Sequence, residues 1–420
     1  MREKFKGYTT DVLFSEAIQW MRARAAVRRP FFCYIPTAAA HGPLFVPAKY
    51  RELYKDQKPN VARFFGMIAN IDENMGRLEV FLRENSLREN TILIFMTDNG
   101  ATAGFPVFNA GMRGRKIDLW EGGHRVPCFI RWPAGHLQAA SDVTELTEMQ
   151  DILPTLVDLC GLRAGETRFD GMSLSRLLRG EINNLPERML VVQFSRMNGP
   201  VPQKGDAAIL WKRWRLINDT ELYDLTTDFA QKTNLLAGTQ ANTQSFQEVV
   251  ARMRAHYNQW WDRVAPKVNE HSAIVLGSEF ENPTQLSPAD WEDAFLDQGS
   301  QVRSGLRQNG PWNVVIARPG NYEIELRRWA READAALGAG LAAQPHADGE
   351  FPAGVALPIA KARLKIADFD QSRNVAATDK AVTFTVNLKA GRTRLQTWFY
   401  DASGKDICGA YYVYVKRKDG

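Results

Sequence analysis

The 420-residue sequence lacks long hydrophobic runs, clustered cysteines and blocks of one charge sign. A membrane span needs ~18 consecutive apolar residues, and no stretch approaches that length. The four cysteines are far apart and form no CxxC pair, which excludes a zinc finger and a disulfide scaffold. The 53 basic and 48 acidic residues are interspersed, so the net charge of +5 predicts no nucleic-acid partner. The N-terminal residues include no apolar segment of a secretory signal.

The sequence has the composition of a globular protein, with 45% hydrophobic and 24% charged residues. Its hydrophobic pattern is helical at 8–24 and 61–85. Residues 30–38, 91–97 and 127–133 are short apolar runs typical of buried strands. Strands that alternate with helices in this way predict βαβ units and a parallel sheet.

The pattern changes after about residue 165. Short β-like segments and a helix near 242–262 predict a smaller α+β subdomain. The rest of the chain alternates apolar and polar residues between Gly, Asp and Asn turns, which predicts an antiparallel β-sandwich. We therefore expect three domains, at 1–165, 166–268 and 269–420.

Several polar side chains lie at or near the ends of predicted strands. Asp98 and Asn99 follow the run at 91–97, where α/β sheets hold ligands, and their oxygens suit Ca²⁺ or Mg²⁺. An Asx turn that only ends a strand fits the same two residues. His41 lies in a Pro/Gly loop, and Lys116 and Arg113 lie in the glycine-punctuated segment GMRGRKIDLWEGGHRVP. That segment fits either an anion-binding loop or a solvated charged loop.

These motifs occur together in one order along the chain. The segments PFFCYIPTAAAHGPL, TILIFMTDNGA, GMRGRKIDLWEGGHRVPCFIRWPAG and WRLINDTELYDLTTDFAQKTNL resemble the arylsulfatases of the alkaline-phosphatase-like superfamily over residues 7–236. The C-terminal strands resemble an accessory β domain of bacterial sulfatases. The resemblance implies an α/β fold: an alkaline-phosphatase-like sheet with helices on both faces, incomplete here, a small α+β subdomain and an appended antiparallel β-sandwich.

The resemblance also implies roles for individual residues. Asp98 and Asn99 would be ligands of a divalent metal, Ca²⁺ or Mg²⁺, that polarises sulfate oxygens. Lys116 would contact the sulfate, His41 would be a proton donor near the leaving oxygen, and Arg113 would be a neighbouring substrate-binding residue. The implied substrate is a sulfated small molecule or a sulfated glycan, and the implied location is the periplasm or the cell exterior.

One part of the family pattern is absent. Its formylglycine nucleophile is made from the Cys or Ser of a Cys/Ser-x-Pro/Ala-x-Arg motif, and no cysteine or serine here opens such a motif. The paired aspartates and the GKWH-type segment of the family are absent as well. We therefore expect a fragment or truncated gene product, with a partial metal site and no activity alone, rather than a shortened descendant.

Two other functions fit the sequence. One is a phosphomonoester or phosphonate hydrolase of the same superfamily. The other is non-catalytic glycan binding by the C-terminal domain, because aromatic rings suit sugar faces. Aromatic side chains in alternating strands also fill sandwich cores. The residues in question are Trp312, Trp329, Trp398, Tyr411, Tyr412 and Tyr414. The sequence does not determine the oligomeric state.

Overall fold

A computed structural model describes residues 5–195, 202–237, 246–268 and 270–418. It divides into two compact units. The first comprises residues 1–194 and 204–263, and the second comprises residues 195–203 and 264–420. The finer division of the sulfatase-like region at residue 165 stays a prediction.

The first unit contains both helices and strands, and strands dominate the second. The α-helices of the described residues are α1 (Thr9–Ala26), α2 (Ala48–Arg51), α3 (Pro59–Glu84), α4 (Glu121–His124), α5 (Ile152–Leu159), α6 (Ser175–Leu178), α7 (Gln247–Val268) and α8 (Gly299–Arg303). The strands of the first unit are β1 (Leu93–Met96), β2 (Cys128–Arg131), β3 (Met189–Gln193), β4 (Ala207–Trp211), β5 (Trp214–Ile217) and β6 (Glu221–Asp224).

The strands of the second unit are β7 (Ile274–Leu276), β8 (Thr284–Leu286), β9 (Trp312–Ile316), β10 (Gly320–Arg327), β11 (Gln344–His346), β12 (Gly349–Phe351), β13 (Lys361–Ile366), β14 (Phe369–Asn374), β15 (Val382–Leu388), β16 (Gly391–Tyr400), β17 (Asp406–Cys408) and β18 (Tyr412–Arg417). Each helix in the described parts of the chain is too short or too polar to cross a lipid bilayer.

Helices α1 and α3 form one layer of the first unit. Proline favours the first helical position because its missing N–H is not needed there, and α3 begins at Pro59. Phe81 and Leu82 of α3 pack with Phe14 and Met21 of α1 in a buried cluster. The three- and four-residue spacing of the apolar residues therefore predicted this face correctly.

The strands over this layer differ from the prediction in two ways. Strands β1 and β2 are present, but they pair antiparallel, so the predicted parallel pairing is wrong here. Residues 30–38 form no strand. Their side chains still alternate, because Cys33 packs on the helical layer whereas Phe32 and Tyr34 are 76% and 77% exposed.

Hydrogen bonding explains why residues 31–37 are not a strand. Among the described residues, no backbone hydrogen bond involves this segment. Leu93 of β1 packs on the same helical layer, yet β1 pairs only with β2. Alternating side chains show only that the backbone is extended. A β-strand also requires hydrogen bonds to a neighbouring strand, which this segment lacks.

Strands β3 to β6 form a four-stranded antiparallel sheet in chain order. Helix α7 covers it, and its Met253 and Tyr257 pack on Ile209 and Trp211 of β4. The strands predicted for this region are confirmed, and the helix predicted near 242–262 is confirmed from residue 247, whereas residues 242–245 lie outside the described residues. The antiparallel pairing follows from the short connections between successive strands.

The second unit contains a four-stranded sheet in the order β15-β10-β18-β8 and a six-stranded sheet built on β14-β13-β16-β9-β7, with β17 beside β16. All pairs are antiparallel except β7 with β9. Buried residues of both sheets form one apolar cluster. The mixed α/β architecture with additional antiparallel sheets is therefore confirmed.

The aromatic residues of the second unit mostly fill this core. Trp312 and Tyr411 are fully buried, and Trp329 and Tyr414 are 3% and 4% exposed. These four rings are consequently unavailable to a glycan. Trp398 and Tyr412 keep partial exposure.

Candidate functional site

Two loops carry most of the residues singled out from the sequence. The loop after β1 holds Asp98, which is exposed, and Asn99, which is half-buried. Its Gly100 N–H donates to the Gly123 carbonyl at 3.0 Å, and the Lys116 N–H donates to the Ala101 carbonyl at 3.1 Å. These two bonds join the loop of Asp98 and Asn99 to the loop of Lys116.

Three glycines permit close backbone contacts, one of them between the two loops and two within the segment that carries Lys116. A Cβ added to Gly100 would lie 1.8 Å from the Gly122 carbonyl oxygen, and one added to Gly122 would lie 2.3 Å from that of Gly114. A Cβ on Gly123 would lie 1.9 Å from the Asp118 oxygen. No other residue fits at such distances. We call Gly100, Gly122 and Gly123, with the two bonds above, the glycine clasp.

Side chains fix the shape of the Lys116 loop. The Asn109 amide donates to the carbonyls of Met112 and Gly114 at 2.8 and 2.7 Å. The Asp118 carboxylate accepts the Arg115 N–H at 3.0 Å. The half-buried Lys116 makes no ion pair and no side-chain hydrogen bond with any described residue. The loop therefore presents an ammonium group that is free to bind an anion.

Arg113 is held by several groups. Its guanidinium lies 3.8 Å from the centre of the Trp120 ring and donates to the Tyr223 hydroxyl at 3.1 Å and the Gln231 carbonyl at 2.8 Å. It also lines an open cavity of about 590 Å³, together with Lys232. The two cations make this cavity suited to an anionic group.

His41 lies in an exposed loop, with its Nδ1 2.8 Å from the Gly42 carbonyl oxygen. The neighbouring Ala39 and Ala40 pack against a cluster of Val46, Tyr50 and Met67. In the described part of the chain no hydrogen bond or ion pair links His41 to Asp98, Asn99 or Lys116. The structure thus joins three of the predicted residues and leaves the role of His41 a prediction.

A buried ion pair behind the Lys116 loop was not recognised from the sequence. Glu121 is 1% exposed, and its Oε1 accepts the Arg215 Nε–H at 2.6 Å. The Glu121 N–H donates to the Gln231 side chain at 2.8 Å. Burial alone would raise the pKa of Glu121, but the charge and hydrogen bond of Arg215 hold that pKa below its usual range.

His124 completes this buried group. Burial lowers the pKa of its imidazole, and Nε2 lies 3.1 Å from the Leu119 carbonyl oxygen. The neutral ring therefore donates Nε2–H to that carbonyl. The Glu-Gly-Gly-His sequence at 121–124 could have drawn attention to Glu121 and His124, whereas no local signal points to Arg215.

The residues present do not make a complete metal site. Calcium takes about 6–8 oxygen ligands and magnesium about 6. Asp98 and Asn99 offer a carboxylate and one amide oxygen, and the described ranges contain no group of three His, Cys, Asp or Glu side chains that could hold a metal ion. The assignment of Asp98 and Asn99 as metal ligands stays a prediction.

Sequence comparisons relate the region that contains the site to a known family. Residues 1–162 match the model of the sulfatase family, and residues 115–260 match that of the C-terminal region of N-sulphoglucosamine sulphohydrolase. A sulfatase of Formosa agariphila is 26% identical over 55% of this chain and 46% of its own length. N-acetylgalactosamine-6-sulfatase of Sus scrofa is 29% identical over 42% of this chain and 34% of its own length.

Solved structures agree on the fold. Ps i-CgsB, crystallised with k-i-k-neocarrahexaose, has a TM-score of 0.55 at 24% identity and covers 62% of this chain and 56% of that chain. The putative sulfatase yidJ of Bacteroides fragilis has a TM-score of 0.51 at 19% identity, over 63% of this chain and 61% of its own. This chain spans less than half the length of the two sequence relatives. Over residues 1–260 the chain is therefore similar to proteins of the sulfatase family.

Proposed function

We propose that this chain supplies the sulfate-recognising part of a sulfuric ester hydrolase. The observation that supports the proposal is the glycine clasp, which holds Asp98 and Asn99 beside the loop of the unpaired Lys116. Hydrolysis of a sulfate monoester builds negative charge on the sulfate oxygens and on the departing ester oxygen. Fixed cations aimed at that charge lower the barrier.

Each residue has a distinct part in this proposal. The Lys116 ammonium contacts a nonbridging sulfate oxygen. His41, whose imidazole is exposed, donates a proton to the departing oxygen. Arg113 positions the loop through Trp120 and Tyr223, and with Lys232 it attracts an anionic substrate to the adjacent cavity.

We propose that the remaining metal ligands and the nucleophile are supplied from outside these 420 residues. Asp98 and Asn99 would supply two ligands of a divalent cation, too few for Ca²⁺ or Mg²⁺. The sequence contains no motif for formylglycine. We therefore propose that the 420-residue chain alone does not turn over.

Hydrolysis of 4-nitrophenyl sulfate by the purified chain, with and without Ca²⁺, tests this last point. We expect a rate equal to the uncatalysed background. Turnover that EDTA abolishes would show that the chain contains a complete site and would overturn the proposal.

The genomic sequence upstream of Met1 tests the rest. We expect an in-frame Cys/Ser-x-Pro/Ala-x-Arg codon run, and a stop codon or an unrelated gene would contradict the proposal. In the protein from the longer frame, Lys116→Ala and Asp98→Ala should each lower kcat for an aryl sulfate by about 10²–10³. Lys55→Ala, an exposed lysine outside the site, is the matched control.

Competition experiments separate sulfate from phosphate chemistry. An aryl sulfate and an aryl phosphate offered together to the longer protein should be cleaved with preference for the sulfate. Preference for the phosphate would instead make it a phosphoester hydrolase.

We propose a sulfated glycan or sulfated small molecule as the substrate, and export to the periplasm or beyond as the location.

A further inference from the structure

The outward face of the six-stranded sheet in the second unit has an unusual charge pattern. On β13, Ala362, Leu364 and Ile366 are buried, which turns the alternate residues to solvent. On β16, Leu395, Thr397 and Phe399 are buried in the same way. We call the outward residues Lys361, Arg363, Lys365, Arg392, Arg394 and Trp398 the basic face.

Strand pairing sets these residues in rows. Arg363 lies opposite Trp398, Lys361 opposite Tyr400 and Lys365 opposite Gln396. Directly paired side chains on an antiparallel sheet are about 5 Å apart at Cβ. Across the two strands, the cations of β13 therefore lie beside the rings of Trp398 and Tyr400 and the amide of Gln396. The outward residues of β16, from Arg392 to Tyr400, form a row about 27 Å long.

The charge of the basic face is only partly compensated. Asp370 accepts two hydrogen bonds from Arg363, at 2.7 and 2.6 Å, and Glu292 pairs with Arg394. The exposed Lys361 and Arg392 form no ion pair within the described residues, and Lys365 lies opposite Asp370 of β14 and interacts with its charge without a direct ion pair. Outward positions on β13 and β16 carry five cations and no acid. Neighbouring like charges repel each other, so an anionic partner would relieve the repulsion.

The other sheet of the same unit provides a contrast. Its outward residues on β10 include Glu323 and Glu325, which pair with Lys418, Arg327 and Arg331. Mixed, paired charges of this kind are what solubility requires. The excess of positive charge therefore belongs to one face, and general solubility does not account for it.

An aromatic residue on the basic face adds an apolar surface to the charged one. Trp398 is half-buried, and the Arg363 guanidinium lies 4.7 Å from its ring centre. Asp370 fixes this guanidinium, so the cation and the ring form a rigid pair. A ring presents an apolar surface to the C–H face of a sugar, whereas the lysines attract the anionic groups of the same polymer.

We propose that the basic face binds a sulfated polysaccharide, with Lys361, Lys365 and Arg392 at the sulfate groups and Trp398 beside the sugar rings. A flat strand pair suits an extended polymer better than a compact ligand. The choice of sulfate over another anionic group rests on the proposed function. Binding itself requires no turnover, so it is measured independently of catalysis.

Affinity electrophoresis of the whole chain in gels containing chondroitin sulfate tests the proposal. We expect retardation that Lys361→Gln with Lys365→Gln weakens about ten-fold, since each exposed charge contributes modestly. The matched control is Lys416→Gln with Lys418→Gln, which removes the same charge from the other sheet and should leave the affinity unchanged. No retardation, or an equal loss in both double variants, would overturn the proposal.

Two further experiments test whether the partner is recognised by its sulfate groups and by its sugar rings. Desulfated chondroitin should retard the chain much less, and equal retardation would contradict sulfate recognition while leaving the esterase proposal intact. Trp398→Ala should weaken binding to the polysaccharide but not to duplex DNA. An equal effect of this variant on both polymers, or tighter binding to DNA, would show that the face binds polyanions regardless of sugar. Near-UV circular dichroism of each variant checks that the fold is kept.

Discussion

At the scale of single residues, the loop that carries Lys116 depends on one buried carboxylate. Glu121 neutralises Arg215, which is itself 4% exposed. Removing one partner of a buried pair leaves an uncompensated charge, and this is worse than losing both partners. Substitution of Glu121 therefore tests how much the buried pair contributes to the stability of this region.

Glu121→Ala should destabilise the protein by about 3–5 kcal/mol, because it leaves the Arg215 guanidinium buried without a counter-charge. Urea unfolding followed by circular dichroism measures the change. Glu73→Gln, which breaks an exposed pair with Lys49, is the control and should have no resolvable effect. Similar midpoints for Glu121→Ala and the unaltered chain would show that water reaches Arg215.

A second carboxylate makes stability depend on pH. Burial and the charge of Asp151 raise the pKa of Glu148 to about 7. The unfolded chain loses this proton near pH 4.5, so unfolding releases a proton between the two values and stability falls as pH rises from about 4.5 to 7. The loss amounts to roughly 3 kcal/mol.

Glu148→Gln should abolish this dependence, because the amide stays neutral at every pH. Melting temperatures at pH 5 and pH 8 measure it, and the variant should be the more stable protein at pH 8. Glu166→Gln, at an exposed position, is the control. A pH profile unchanged in Glu148→Gln would mean that Glu148 is ionised in the folded chain.

The sequence was informative about some of these residues and silent about others. Motif order grouped Asp98, Asn99 and Lys116 in one site, and the hydrogen bonds between their loops agree with that grouping, whereas their chemical roles stay predictions. It did not predict Glu121 with Arg215, since 94 residues separate them. Contacts between distant segments depend on packing, which local patterns do not record.

At the scale of secondary structure, α3 shows how glycine serves different purposes in one helix. A Cβ on Gly76 would meet no atom within 4 Å. A Cβ on Gly66 would lie 3.1 Å from the backbone of Tyr50 and from the Val46 side chain. Gly66 therefore permits α2 to approach α3, whereas Gly76 has no packing role.

Gly76→Ala should stabilise the protein by about 1 kcal/mol, the helix-propensity difference between the two residues. Gly66→Ala should instead destabilise it by about 1–3 kcal/mol, because the added methyl overpacks against main chain. Thermal unfolding of both variants is the measurement. Equal effects of the same sign would show that α2 yields to the methyl group.

Elements with their partners nearby in sequence were predicted best. The meander from β3 to β6 and the alternating strands of the second unit follow from local pattern and short turns. The segment at 30–38 has the same apolar pattern without a hydrogen-bonded neighbour. Strand formation there is decided by a pairing partner, and no local signal reports one.

At the scale of the whole molecule, exposed apolar side chains are concentrated in the first unit. Phe32 and Tyr34 protrude from residues 30–38, and Phe129 of β2 is 66% exposed. Unpaired backbone beside apolar side chains favours association with other chains. We expect this surface to be the main cause of self-association of the isolated chain in solution.

Phe32→Ser with Tyr34→Ser should lower both the fluorescence of bound ANS and the self-association measured by light scattering. Phe280→Ser is the control, because this side chain is 92% exposed but lies in the second unit. Unchanged scattering in the double variant would show that another surface mediates self-association. A decrease in both variants alike would indicate general surface hydrophobicity.

For the proposed sulfate-binding function, the glycine clasp lowers the entropic cost of binding. Because Gly100 and Gly123 bond across the two loops, folding itself fixes the spacing between the Asp98 loop and the Lys116 loop. A ligand that arrives there finds its partners already arranged and loses less conformational freedom on binding. The site is preorganised in the backbone, so side-chain exchange at its rim can alter specificity while the arrangement persists.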